Sequence, residues 1–173
     1  MAEPVEATRQ STGLDALIDN RIMATAERDL LNFILTYGTT KLEFQSDSAF
    51  YSGSDEDALT VFDFIGQALE GDNSQFANSV FRKVYEAYSK DYYEGYSQDE
   101  IVKRLMDGED RDMAYVAAQL STDERYDLSV KNLRQSMMSK GSWLTIYVPK
   151  AILVYQQSRL EDKENELKER LGE

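Results

Sequence analysis

A chain of 173 residues with 42% hydrophobic and 29% charged side chains is long enough to bury a core and ordinary enough in usage to fold. Its 32 acidic residues against 19 basic ones give a net charge of -13, which repels a phosphate backbone and argues against direct nucleic-acid binding. With no Cys and no His, disulfide frameworks, thiolate or imidazole metal sites and every catalytic scheme built on histidine are excluded.

Residues 1–23 contain Pro4, several Ser and Thr and no sustained period, so they read as a linker or flexible arm. They hold no apolar run of signal-peptide length, and no stretch of the chain reaches eighteen consecutive apolar residues. The expectation is a cytoplasmic protein with no membrane contact. From Thr25, a candidate N-cap, Leu30, Leu31, Ile34 and Leu35 recur at helical spacing until Gly38. Leu42 and Phe44 then alternate with charges, which hints at a short extended piece. Ser54 with Asp57 has capping-box spacing and predicts a second helix through Leu59, Phe62, Ile65 and Leu69 to Gly71. Asn78 or Ser79 opens a third, with Phe81, Val84, Tyr85 and Tyr88 on one side. Ser97 and Glu100 form another capping box before Ile101, Val102 and Leu105, and Gly108 ends that helix. A fifth covers about Glu109 to Leu120 and a sixth about Leu128 to Ser139, with Gly141 separating the sixth from a long terminal helix. No run of strict alternation appears, so the fold class is all-α: a helical bundle over 24–120, then a helical hairpin or long kinked helix over 121–173.

The terminal segment changes character midway. Trp143 to Tyr155 is apolar nearly all round a helix, whereas Arg159 to Leu171 is charged apart from a thin leucine line. Ile146, Leu153, Leu160 and Leu167 fall at steps of seven, with Leu171 one turn further on. So narrow a line needs a surface to lie against, supplied by an intramolecular hairpin or by another protein's helix. Leu153, Tyr155, Leu160, Leu167 and Leu171, aided by Tyr147, are the candidate partner-binding residues. Pro149 inside this segment predicts either a kink or a helix start. Trp143 suits a core anchor and an interface anchor equally.

Three other clusters have plain structural readings. Glu161 with Glu164 and Glu166 with Glu169 have the Glu-x-x-Glu spacing of a magnesium-binding helix, but Lys163, Lys168 and Arg170 interleave them as on a solvated face. The DGEDRD run at 107–112 lacks the glycine and glutamate positions of a calcium loop and reads as a helix junction. The tyrosines of 85–96 alternate with acids, which fits packing and a wet loop better than base stacking. No catalytic, cofactor-binding or metal-ligating residue is assigned, and no cofactor is expected.

With these helices in order, the chain resembles the C-terminal helicase-binding domain of bacterial DnaG-type primases. The likeness runs through AERDLLNFILTYG (26–38), FDFIGQALEGDNSQFANSVFRKVYEAY (62–88) and YVPKAILVYQQSRLEDKENELKERL (147–171), most of the chain after about residue 24. Glu27, Arg28, Leu30 and Leu31 match the family's opening motif and carry over as structural residues. The resemblance implies a bundle and hairpin that attach primase to the N-terminal region of the DnaB-type replicative helicase. It also implies that the zinc-ribbon and polymerase domains lie elsewhere, so that this segment docks and does not catalyse. A self-associating helical adaptor and an all-α magnesium-dependent nucleotide pyrophosphohydrolase are the alternatives.

Overall fold

The computed structural model describes residues 23–54, 56–121 and 140–172. Six helices account for most of them: α1 (Met23–Tyr37), α2 (Val61–Gly71), α3 (Ser79–Glu94), α4 (Gln98–Met106), α5 (Arg111–Ser121) and α6 (Lys140–Gly172). Among the described residues the sole β pairing is an isolated antiparallel bridge between Lys41 and Thr60, so the all-α class holds. The helix expected over 128–139 lies outside the described residues, as do residues 1–22 of the expected arm.

The sequence AERDLLNFILTY makes α1 the centre of the fold, because it is apolar on more than one side. Leu30, Leu31, Phe33, Ile34 and Leu35 are all buried, and α1 packs against each of the other five helices. Its polar residues inside the core are matched. Glu27, buried, accepts from the backbone N–H of Ala77 at 2.5 Å and of Asn78 at 3.1 Å, just where α3 begins. A carboxylate on the N–H groups leading into a helix is a favourable use of a buried charge. Asn32, equally buried, donates its side-chain amide to the Leu120 carbonyl near the end of α5, and Thr36 Oγ1 donates to the same oxygen at 3.3 Å.

Several helix boundaries follow the capping residues. Asn78 caps α3 by accepting from Val80 N and Phe81 N, and Ser97 with Glu100 makes a complete capping box on α4. Other boundaries moved. Helix α1 begins two residues before Thr25. Ser54 does bond Asp57, through Oγ to Oδ2 at 2.8 Å, but the pair closes a turn, and α2 starts only at Val61 with Thr60 as its cap. The stretch between is held by the 41–60 pairing, where Leu42 N donates to Leu59 O at 2.9 Å and Val61 N to Thr40 O at 2.9 Å. A local Ser-Asp hydrogen bond serves turns and helix starts alike, and here the extended pairing decides between them. Helix α4 ends at Met106, before Gly108, and Asp110 caps α5 by accepting from Asp112 N and Met113 N.

Gly141 is the second residue of α6, and what precedes Lys140 lies outside the described residues. A Cβ at Gly141 would sit 2.7 Å from the Lys41 carbonyl oxygen, so glycine is what allows the helix to approach the 41–43 backbone. Helix α6 does not start at Pro149: the proline is embedded in the helix and removes the donor for the Thr145 carbonyl without ending the run.

Most tyrosines of 85–96 pack around Phe62. Its ring centroid lies 4.5 Å from that of Tyr92, 5.2 Å from Tyr88 and 5.6 Å from Tyr85, while Tyr93 is largely exposed. Burial pushes the Tyr85 phenol up to about 12, helped by nearby Tyr93, Glu70 and Asp63, and raises that of Tyr88 as well. Tyr155 is likewise pushed up to about 12, chiefly by burial and then by Glu27. Unfolded, these phenols ionise near 10.0; folded, they stay protonated to higher pH. Above pH 10 the unfolded chain therefore binds fewer protons than the folded one, and stability falls as pH rises towards the folded values. Melting followed by circular dichroism is expected to show Tm level below that point and falling steeply beyond it. Tyr88→Phe, which removes one such phenol, should make the alkaline fall shallower.

Candidate functional site

The apolar core continues into the terminal helix. Trp143, Leu144, Val148, Ile152 and Tyr155 recur at three, four and seven residues and are all buried, mainly against α1 and also against α2. The Trp143 ring meets Tyr37 edge-on at 5.2 Å and Tyr147 at 6.0 Å, so it serves as a core anchor. Three polar contacts tie the middle of α6 to the loop between α2 and α3: Tyr155 OH donates to Gln75 O at 3.3 Å, Gln156 Nε2 to Asp72 Oδ2 at 2.6 Å, and Arg159 to Ser74 Oγ. Asp162 is the last half-buried residue, and every described side chain after it is exposed.

The leucine line lies on the other side. Successive residues of a helix are about 100° apart, which puts Leu153, Leu160 and Leu167 about 100 to 150° around the axis from the middle of the Leu144, Val148, Ile152 and Tyr155 face. All three are exposed, Leu160 at 68%, and Leu171 is 86% exposed. Ile146 and Val154 also face outward beside them. Beyond Asp162 the helix runs a further ten residues, Lys163 to Gly172, or about 15 Å at the α-helical rise, without burying a side chain. Glu164 and Lys168 pair there at 2.9 Å, four residues apart, as solvated helix faces do.

Of the six candidate residues, Leu153, Leu160, Leu167 and Leu171 share this outward face and Tyr147 sits half-buried at the edge of the Trp143 cluster. Tyr155 is a correction: at 1% exposure it belongs to the core and offers no surface to a partner. In a segment apolar all round, composition does not say which side turns inward; the three-residue step from Ile152 and the seven-residue step from Val148 put Tyr155 there. Val154 is a further outward apolar residue that the seven-residue count misses, because it falls off that register. Sequence reading also missed the exposed aromatic rings of the 41–64 stretch, signalled only by Phe50 and Tyr51 standing together in a polar loop.

The carried-over opening motif behaves as a structural element, with Glu27, Leu30 and Leu31 buried. Among the described residues, no helix is long and apolar enough to cross a membrane.

No curated protein matches the chain, and no solved structure does. The model of one family, described as a domain of unknown function (DUF8430), matches residues 15–173, and the chain belongs to that family.

Proposed function

We propose that this chain is a non-catalytic docking domain of a bacterial DnaG-type primase, binding the N-terminal region of the DnaB-type replicative helicase through the outward leucine line of α6. The carrying observation is the two-sidedness of α6: one face is spent on the core while Leu153, Leu160, Leu167 and Leu171 stay exposed on the other. The likeness of 26–38, 62–88 and 147–171 to the primase domain supplies the identity of the partner. Covering about three such leucines contributes roughly 5 to 8 kcal/mol before association costs, which suits micromolar or weaker attachment. Charges flanking the line set register and partner choice more than strength.

Leu160→Asp combined with Leu167→Asp tests this reading. Both side chains are exposed and touch no part of the core, so Tm should stay within about 1 °C of the parent, as surface changes usually do. Binding to the helicase N-terminal region, followed by calorimetry, should weaken by about thirtyfold or more, the loss of roughly 2 kcal/mol typical of an interface anchor. Undiminished binding would move the contact off the leucine line. Sedimentation of the chain alone separates the adaptor reading, which requires a stable dimer that the double substitution dissolves.

A further inference from the structure

A second exposed apolar feature lies apart from the leucine line. Phe44, Phe50 and Phe64 form a closed triangle of rings, with centroids 5.3 Å apart for Phe44 and Phe50, 5.6 Å for Phe44 and Phe64, and 5.2 Å for Phe50 and Phe64. Phe64 comes from the first turn of α2 and Phe44 from the segment held by the 41–60 pairing, so two of the three rings stand on ordered backbone. Phe50 is 55% exposed and Tyr51 beside it is also exposed. The loop carrying them has its own hydrogen bonds: Ser48 N donates to Gln45 O at 2.9 Å, Tyr51 N to Ser48 O at 3.2 Å and Phe50 N to Ser48 Oγ at 3.2 Å. Because the rings touch one another, they make a filled platform and leave no hole between them.

Charge says what such a platform receives. The stretch 41–64 carries six acidic residues against Lys41 alone, and the Lys41 ammonium is already engaged with the Glu56 carbonyl at 3.2 Å. Glu43, Asp47, Glu56 and Asp57 are all exposed. Nucleic acid is repelled by this excess of negative charge. A guanidinium or ammonium group is favoured twice, by the carboxylates and by the ring faces, since aromatic quadrupoles attract cations. We propose that the Phe44, Phe50 and Phe64 platform is a second docking site, one that takes an extended peptide segment rich in Arg or Lys. The site is separate from the leucine line: Glu43 reaches Ser142 at the start of α6, and Leu153 lies eleven residues further on, about 17 Å along the helix, with Leu160 at about 27 Å. It therefore stands or falls independently of helicase docking.

The test is a titration of the isotopically labelled chain with a short peptide of alternating Arg and Gly, which cannot compete for an apolar helix face, and with its Glu-for-Arg counterpart. The Arg peptide should shift amide resonances within 41–64 at low salt, the Glu peptide should not, and the effect should weaken once the Debye length shrinks to about 5 Å. Phe50→Ser, whose ring is mostly outside the core, should lower affinity about tenfold, equivalent to roughly 1.4 kcal/mol. Asp47→Lys with Glu56→Lys, which keeps all three rings, should abolish it, while Leu160→Asp with Leu167→Asp should leave it unchanged. Shifts scattered over the acidic surface, or equal affinity for the parent and Phe50→Ser, would overturn the proposal.

Discussion

Trp143→Ala is expected to cost about 3 to 5 kcal/mol, the range for deleting a large buried aromatic side chain. The indole is fully buried and meets Tyr37 of α1 on one side and Tyr147 of its own helix on the other. A domain of this size has a total stability of about 5 to 15 kcal/mol, so the variant would be left near the edge of folding. Urea unfolding followed by circular dichroism should show the midpoint falling with little change in slope. Trp143→Phe should cost much less, because Trp143 Nε1 has no hydrogen-bond partner among the described residues and the ring acts through volume. A Trp143→Ala chain as stable as its parent would mean that α6 does not share the core of α1. The same variant should also weaken any contact made by the leucine line, because the outward face of α6 is held in place by its inward one.

Gly38→Ala is expected to be almost as damaging, though it adds a single methyl group. That Cβ would fall 2.0 Å from the Tyr88 hydroxyl oxygen and 2.5 Å from the Ile34 carbonyl oxygen, both well inside contact distance. Neither neighbour is free to yield. Tyr88 is buried and donates to Gln98 Oε1 at 2.5 Å, and the Gln98 amide nitrogen donates to the Ile34 and Leu35 carbonyls at 3.1 and 2.7 Å. Gln98 thus joins the Gly38 N–H, which donates to the Ile34 carbonyl at 2.9 Å, and supplies a donor to the Leu35 carbonyl at the end of α1. Forcing Tyr88 aside breaks this network, so the overpacking cost of about 1 to 3 kcal/mol is joined by the loss of buried hydrogen bonds. Thermal melting should register a drop of about 10 °C. Adding Tyr88→Phe should recover only part of it, since the contact with the Ile34 oxygen remains, and the two substitutions should combine non-additively.

These two positions show what the sequence disclosed and what it withheld. The spacing of Leu30, Leu31, Ile34 and Leu35 announced α1, and the Asn78 and Ser97 caps marked the starts of α3 and α4, because each signal acts over a few residues. Gly38 was legible as a helix end, but the reason nothing larger fits there lies in Tyr88 and Gln98, fifty and sixty residues away. Ser54 misled because its hydrogen bond to Asp57 is real but belongs to a turn. Gly141 was read only as a boundary, and its close approach to the Lys41 carbonyl lies a hundred residues away in the chain, beyond the reach of local signals. At the candidate site, the seven-residue repeat picked out leucines that stay exposed, while Tyr155 was assigned to the wrong face because period alone fixes relative and not absolute orientation.

The union of α1 with α6 brings together segments more than a hundred residues apart in the chain. On the ribosome, the strongly apolar LLNFIL stretch emerges long before Trp143, Val148 and Ile152 exist to shield it. Contacts of such high sequence separation form slowly and leave greasy intermediates open to aggregation. The nascent bundle is therefore expected to rely on chaperone holding until α6 clears the exit tunnel, and to mature in one late, concerted step.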